Sequence, residues 1–224
     1  RVRSSAASDV YKRQVMQYID EFVRKAELRV PLYTNEIYEY VKTKLPDTDK
    51  ATFNMTLQRY EKRNPDFVRY QKGVYYKTVH TPFGVAGIDT TELIKRTYLV
   101  NGDEVIGYES GPSYMNKIGL TTQMPNMTYI VTTRTRYTTE DKKDGIYLIK
   151  PVIQINRDNY RYLQLLDMLD NKMKVKIEAD NYQDILRKQI GTFGLSFERL
   201  IGYAKYYNNN NVYAGLSELA RGVN

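Results

Sequence analysis

The sequence predicts an α+β fold, with an N-terminal winged helix-turn-helix followed by a mixed strand and helix domain whose helices gather at the C-terminus. Three helical patterns precede two short extended runs, and Gln71-Lys72-Gly73 joins those runs as a hairpin tip. After a linker-like run at residues 80–84, strand patterns come first and helical patterns come last. These observations predict a winged helix-turn-helix domain over residues 15–78 and a second domain over residues 79–224.

The composition sets broad limits on the class of protein. The chain has 224 residues, a formal net charge of +8, one His and no Cys. This length suits one large or two small domains, and a chain without Cys fits a reducing compartment. No apolar run approaches the roughly 20 residues that a membrane span needs. We therefore expect a cytoplasmic protein with no membrane segment.

The first fourteen residues have an unusual pattern. They resemble a translated sequencing adaptor of the kind found at the ends of metagenomic reading frames. They contain four Lys or Arg residues and one Asp, a net of +3. We predict that residues 1–14 are not part of the natural protein, and they do not enter the fold prediction.

Apolar periodicity predicts three helices in the first domain. The first begins at Val15, the second follows Thr34 as N-cap, and the third spans roughly residues 48–63. Asn64-Pro65-Asp66 is expected to stop the third helix. The buried side of that helix should carry Phe53, Leu57 and Tyr60.

The outward face of the third helix and the hairpin carry the residue types that DNA binding requires. In a winged helix-turn-helix the third helix enters the major groove, and the hairpin contacts the flanking backbone. Gln and Arg can contact base edges, whereas Lys and Arg suit phosphates. Residues 50–77 hold seven Lys or Arg and two Asp or Glu, a net of +5. The predicted DNA-binding residues are Thr52, Met55, Gln58, Arg59, Lys62, Arg63, Arg69 and Lys72. The alternative is a solvated helix face in an ordinary three-helix bundle.

The second domain is predicted from runs of strand and helix patterns. Strands are expected at residues 97–100, 104–108, 127–133, 145–150 and 152–155, and helices at residues 159–170, 181–190, 196–207 and 212–221. In the third of these helices Leu200, Ile201 and Ala204 should face inward. Three tyrosines are expected to be exposed, and they are Tyr206, Tyr207 and Tyr213. The lone His80 is expected to have no functional role.

Residues 107–125 form the most constrained stretch, because they contain three glycines and two prolines. We predict a strand that ends near Glu109, then a short helix with Pro112 in its first turn and Gly119 at its end. The stretch has no nucleophile–base pair and no metal-ligand spacing, and its glycines are too scattered to cradle a phosphate. The residue types alone favour a packing unit without chemistry.

This stretch resembles the signature of the AbiEi-like antitoxins, a bacterial family with an N-terminal winged helix. The matching residues are Tyr108, Ser110, Gly111, Ser113, Asn116, Gly119, Leu120, Thr121, Thr122, Gln123 and Pro125. Residues 34–41 and 69–76 resemble the family's second helix and wing. The chain departs from the family pattern after the third helix, where Asn64-Pro65 replaces a turn glycine.

The resemblance implies a function and partners. It implies the antitoxin of a type IV toxin–antitoxin system, which represses its own operon and takes part in phage defence by abortive infection. The implied partners are double-stranded operator DNA and an AbiEii-like nucleotidyltransferase toxin, without a stable complex being assumed. No cofactor, catalytic residue or metal ligand is predicted.

Two other functions stay open. One is a stand-alone winged-helix transcription regulator with a sensing domain. The other is an enzyme that acts on nucleic acid through converging carboxylates. The candidate acids for the second are Asp141, Asp144, Asp167 and Asp170.

Overall fold

The computed structural model describes residues 2–141, 145–171, 175 and 177–221, and the fold is mixed α+β, as predicted. The chain forms two compact units, Arg1–Leu93 and Ile94–Asn224. In the described part of the chain, no helix combines the length and the apolar character that crossing a membrane requires.

The first unit contains three long helices and a small antiparallel sheet. The helices are α1 (Val2–Lys25), α2 (Thr34–Lys44) and α3 (Lys50–Arg63). The strands are β1 (Leu32–Tyr33), β2 (Phe67–Gln71) and β3 (Val74–Lys77), in the order β1-β3-β2. The predicted hairpin is thus present as β2–β3. Strand β1 was not predicted, because two residues carry no periodicity.

Local capping sets both ends of α3. The Asp49 side chain accepts a hydrogen bond of 2.8 Å from the Thr52 N–H, so Asp49 is the N-cap. At the other end the Asn64 amide donates to the Tyr60 carbonyl at 2.8 Å, and Pro65 follows. Asn64-Pro65 therefore ends the helix, as predicted. The N-cap of α2 is Tyr33 and not the predicted Thr34.

The core of the first unit joins all three helices to the sheet. The helical residues in it are Val15, Ile19, Val23, Ile37, Val41, Phe53, Leu57 and Tyr60. Phe67 stacks on Tyr75 with ring centroids 4.8 Å apart, which adds the sheet to this core. Burial of Phe53, Leu57 and Tyr60 confirms the predicted inward face of α3.

Residues 78–93 belong to the first unit, although the predicted boundary lies at residue 78. The predicted linker contains a small hairpin, β4 (His80–Thr81) with β5 (Gly84–Val85), and α4 (Thr90–Ile94) follows it. Ile88 and Leu93 are buried against residues of β3. The Arg29 Nε also donates to the Gly87 carbonyl at 2.8 Å. These contacts tie the segment to the first unit.

The second unit begins with a π-helical turn (Lys95–Leu99) and a small hairpin of β6 (Val100–Asn101) and β7 (Glu104–Val105). Its main sheet contains β8 (Gly107–Ser110), β9 (Thr128–Thr132), β10 (Thr139–Asp141) and β11 (Ile146–Ile149) in the order β10-β11-β9-β8. The pair β9 and β11 is parallel, and the other two pairs are antiparallel.

The helices of the second unit are α5 (Gly111–Lys117), α6 (Tyr160–Asn171), α7 (Tyr182–Thr192), α8 (Phe197–Ala204) and α9 (Asn210–Ala220). Helices α6 to α9 follow the last strand, which confirms that helices gather at the C-terminus. Helix α6 is buried on two faces. Leu163 packs with Tyr108 and Val131 of the sheet, whereas Leu166 packs with the other helices.

Two predicted strands are wrong. Residues 97–100 are rich in β-formers, but residues 95–99 form the π-helical turn, whose Tyr98 and Leu99 pack on the sheet residue Ile130. Packing therefore overrides local propensity here. Residues 152–155 form no strand, and the Gln154 carbonyl accepts a hydrogen bond from the Asn159 amide at 2.8 Å.

The predicted inward position of Ile201 is also wrong, since this residue of α8 is 55% exposed. Leu200 and Ala204 are buried as predicted.

Gly107 is a site where the fold excludes any side chain. A Cβ at this position would lie 2.2 Å from the Tyr98 carbonyl oxygen and 2.7 Å from that of Val131. We expect Gly107→Ala to lower the free energy of unfolding by about 1–3 kcal/mol, because backbone must move. The measurement is urea unfolding followed by circular dichroism.

Gly202→Ala is the matched control. Gly202 lies inside the exposed part of α8, and an added Cβ there meets nothing within 4 Å. This variant should be as stable as the natural chain or more stable by up to about 1 kcal/mol. Equal destabilisation by the two substitutions would contradict the close packing at Gly107.

Candidate functional site

Helix α3 presents a polar face to solvent, opposite its buried residues. The predicted contact residues Gln58, Arg59, Lys62 and Arg63 are all exposed, and Met55 is 49% exposed. Thr52 is half-buried, and its backbone N–H is bound by the N-cap. At 3.6 residues per turn, these positions form one continuous surface along the helix.

The β2–β3 hairpin adds two exposed cations, Arg69 and Lys72. Gly73 at its tip has φ +81°, a left-handed conformation that glycine adopts without strain. The Gly73 carbonyl accepts a hydrogen bond of 2.9 Å from the Thr34 N–H. The tip is therefore anchored to the start of α2.

In the part of the chain that the structure describes, four cations of this surface form no ion pair with a carboxylate. They are Arg59, Lys62, Arg63 and Lys72. Arg59 and Arg63 also line a cavity of about 270 Å³ beside the N-terminal part of α1. That cavity is lined in part by Asp9, Lys12 and Arg13, which belong to the adaptor-like residues.

His80 has a partner that the sequence did not indicate. Its Nε2 lies 3.2 Å from an Asp66 carboxylate oxygen, and both side chains are exposed. The contact joins β4 to the segment after α3. Phe83, in the turn between β4 and β5, is fully exposed.

Two residues of the signature stretch, Tyr108 and Ser110, contact the side chain of Asp167 in α6. The Ser110 hydroxyl donates to one carboxylate oxygen at 3.0 Å, and the Tyr207 hydroxyl lies 2.7 Å from the other. Tyr108 is a further hydrogen-bonding neighbour. Burial raises the pKa of the Asp167 carboxyl to about 6, and the hydrogen bonds from Tyr207, Ser110 and Tyr108 offset part of that rise.

Other signature residues form hydrogen bonds at the two ends of α5. Ser113 Oγ accepts a hydrogen bond from the Tyr129 N–H at 2.9 Å, and the Asn116 amide donates to the Thr121 carbonyl at 3.1 Å. Gly119 has φ +83° at the end of α5, as predicted.

The remaining signature residues are a glycine and the segment after α5. Gly111 is buried with φ +58°, and a Cβ there would lie 3.1 Å from the Tyr129 ring. Leu120 is buried, and the Thr122 N–H donates to Glu178 at 2.8 Å. The Gln123 N–H bonds the Thr121 hydroxyl at 3.2 Å, and Pro125 is half-buried.

Two of the candidate acids of the enzyme hypothesis, Asp167 and Asp170, are bound by different hydrogen-bond donors of the fold. Asp167 is bound as above, Asp170 accepts a hydrogen bond from Asn209, and Asp141 ends β10. Asp144 lies outside the described residues. Within the described ranges, no group of three His, Cys, Asp or Glu side chains has an arrangement that could hold a metal ion.

Two of the three tyrosines expected at the surface, Tyr206 and Tyr213, are exposed. The prediction for Tyr207 is wrong, because its hydroxyl is bound at Asp167 and lies 3.0 Å from the Leu163 carbonyl oxygen. Sequence reasoning missed this network, since Ser110 is 57 residues and Tyr207 is 40 residues from Asp167.

Comparison of the chain with models of protein families and with curated proteins finds no match. The resemblance to the AbiEi-like antitoxins therefore stays a prediction from the residues quoted above.

The Asp167 site should make stability depend on pH. Because its pKa of about 6 in the fold lies above the ordinary 3.8, folding favours the protonated form. The contribution of protonated Asp167 to the free energy of unfolding is fully present below about pH 4. It is lost as the pH rises through about 6. We expect Asp167→Asn, which stays neutral, to be more stable than the natural chain at pH 7 by about 1–3 kcal/mol. At pH 4 this advantage should be absent.

The measurement is denaturant unfolding between pH 4 and pH 7.5, with Asp180→Asn as control for removal of an exposed carboxylate from the same unit. The control should follow the natural chain. A constant difference between Asp167→Asn and the natural chain across this range would contradict the buried carboxylate.

Proposed function

We propose that the first unit binds double-stranded operator DNA as a winged helix-turn-helix, and that the chain is the antitoxin and autorepressor of its own operon. The observation that carries the DNA-binding part is the exposed surface of α3, whose cations have no ion-pair partner among the described residues. Such a repressor would act in the cytoplasm, where the operon lies.

The chemistry of this surface fits a division between base and phosphate contacts. Gln58 and Arg59 lie in the middle of α3, and their side chains can make two hydrogen bonds to one base edge. Lys62 and Arg63 in the last turn, with Arg69 and Lys72 of the hairpin, suit the phosphates on either side.

The solvated-face alternative explains only part of this arrangement. Lys62 and Arg63 lie in the last turn of α3, where cations also stabilise the helix dipole. That explanation does not extend to Arg59 in the middle of the helix or to Lys72 at the hairpin tip. A DNA duplex accounts for all four cations, through a base contact of Arg59 and phosphate contacts of Lys62, Arg63 and Lys72.

The antitoxin part of the proposal rests on the signature stretch and its resemblance. The implied partner is a nucleotidyltransferase toxin encoded in the same operon, and no stable complex is assumed. Its test is co-expression of this chain with the protein encoded next to it. Growth that is arrested by the neighbouring protein and restored by this chain supports the proposal, whereas continued arrest contradicts it.

A stand-alone regulator with a sensing second domain is the second candidate. The observation that favours it is a cavity of about 270 Å³ within the second unit, lined by residues of β8, α5 and α6. The absence of a toxin-like reading frame beside the gene would select this candidate over the antitoxin.

Loss of a base contact and loss of a phosphate contact should have different effects on DNA binding. Arg59→Ala should cost about 1–3 kcal/mol of binding free energy and reduce the preference for operator over random DNA, because a base contact is lost. Lys72→Ala should weaken binding to both DNAs alike and reduce the salt slope by about one unit. The measurement is a mobility shift on the DNA upstream of the gene, at several salt concentrations.

Lys188→Ala, which removes an exposed cation from the second unit, is the control and should bind as the natural chain does. Equal losses on operator and random DNA for both Arg59→Ala and Lys72→Ala would contradict the assignment of α3 to base contacts. If the natural chain produces no operator-specific shift, the repressor proposal is wrong.

A further inference from the structure

A second cavity of the second unit lies at one end of the main sheet. Strands β9 and β11 are parallel neighbours, so the segments that follow them, residues 133–138 and residues 150–154, leave the sheet at the same edge. Residues of both segments line a cavity of about 560 Å³. The carboxyl ends of parallel strands are a common position for ligand sites in open sheets, and this volume lies within the usual range of about 300–1,000 Å³.

The lining of this cavity is basic. Arg136 and Lys150 are both exposed, and their side chains form no ion pair or hydrogen bond with the residues that the structure describes. Arg134 donates to a neutral acceptor, the Asn101 Oδ1, at 3.1 Å, so this bond leaves its charge in place. The two segments together contain three Lys or Arg residues and no Asp or Glu, a net of +3. Such a surface attracts an anion that carries several charges.

An exposed aromatic ring lines the same cavity. Tyr137 is 79% exposed although its backbone is fixed, because its N–H donates to the Thr135 hydroxyl oxygen at 3.3 Å and its carbonyl accepts from the same hydroxyl. The Lys150 N–H donates to the Thr138 hydroxyl oxygen at 3.4 Å, which joins the two segments. Val152, 49% exposed, adds apolar surface to the lining. A tyrosine presented in this way offers a flat contact area at a small cost in conformational entropy.

We propose that this cavity binds single-stranded nucleic acid, with an unpaired base stacked on the Tyr137 ring and the adjoining phosphates bound by Arg136 and Lys150. Proteins that bind single strands combine a basic groove with aromatic rings on which bases stack, and both features are present here. The residues of this site all belong to the second unit, whereas α3 belongs to the first.

Other occupants fit the lining less well. In a duplex the faces of each base are covered by the neighbouring base pairs, so the Tyr137 ring would have no base to stack on. An acidic peptide would supply charges for the two cations but no flat ring for Tyr137. A solvated loop would explain the cations, but it would not explain a fixed backbone that leaves both the ring and Val152 in solvent.

The test measures binding of the 224-residue chain to three fluorescein-labelled probes by fluorescence anisotropy. The probes are a decathymidylate single strand, a strand of the same length and charge without bases, and a duplex of the same length. The natural chain should bind the decathymidylate about tenfold more tightly than the abasic strand, because only the decathymidylate has bases that stack on Tyr137.

Substitution of the ring separates stacking from charge. Tyr137→Leu should weaken binding of the decathymidylate about tenfold and leave the affinities for the abasic strand and the duplex unchanged. Tyr137→Phe keeps the ring and should bind within about twofold of the natural chain. Tyr213→Leu, which removes an exposed ring from α9, is the matched control and should change none of the three affinities. The cations of α3 are the same in all these variants, so their contribution cancels from the comparison.

The two cations should act on both single strands alike. Arg136→Gln and Lys150→Gln should each weaken binding of the decathymidylate and of the abasic strand about threefold, and should reduce the salt slope by about 0.7. Lys188→Gln, which removes an exposed cation from α7, is the control and should leave both affinities unchanged.

Three outcomes would overturn the proposal. One is an equal loss of affinity in Tyr137→Leu for the decathymidylate and for the abasic strand. Another is displacement of the decathymidylate by a decaglutamate peptide at similar concentration, which would assign the cavity to an acidic protein segment. The third is photo-crosslinking of a strand that contains 5-iodouracil to peptides of α3 only, and not to the peptide that contains Tyr137. Operator binding is measured on duplex DNA with Arg59→Ala, so either proposal can fail without the other.

Discussion

The layers of the second unit meet at one hydrogen-bonded side chain, that of Asp167. Asp167 projects from α6 and is bound by the hydroxyls of Ser110 in β8 and Tyr207 after α8. A carboxylate in such a place is unfavourable unless donors surround it, and the raised pKa is the measure of that cost. Because its partners lie in two separate segments, the same interaction fixes α6 against the sheet on one side and the chain leaving α8 on the other.

The signature stretch gains a physical meaning from this arrangement. Its glycines and hydroxyl residues hold β8, α5 and the turn after α5 in one geometry, through bonds such as that from the Tyr129 N–H to Ser113. Glu109, Tyr114 and Lys117 lie inside the stretch and also line the cavity of the second unit. Residues that shape the backbone therefore position residues that could meet a ligand. The residues that fix the backbone and those that line the cavity belong to one segment of the chain.

The sequence predicts those features that neighbouring residues determine. The inward face of α3 follows from helical spacing, and the β2–β3 hairpin follows from its glycine tip. Prediction from the sequence fails where contacts between distant residues determine the local structure. Residues 95–99 have strand propensity but form a π-helical turn that packs against Ile130. The hydrogen bonds around Asp167 were not predicted from the sequence for the same reason. An acid near a helix end is usually solvated, and only the fold brings Ser110 and Tyr207 to it.

Screening by solvent and salt bears on what the exposed surface of α3 can bind. The cations of α3 and the hairpin are exposed, so mobile ions screen them over about 8–10 Å at physiological salt. Such a surface can attract a long polyanion, because many phosphates act together. A single small anion makes only a few such contacts, so it would compete poorly with salt on this surface.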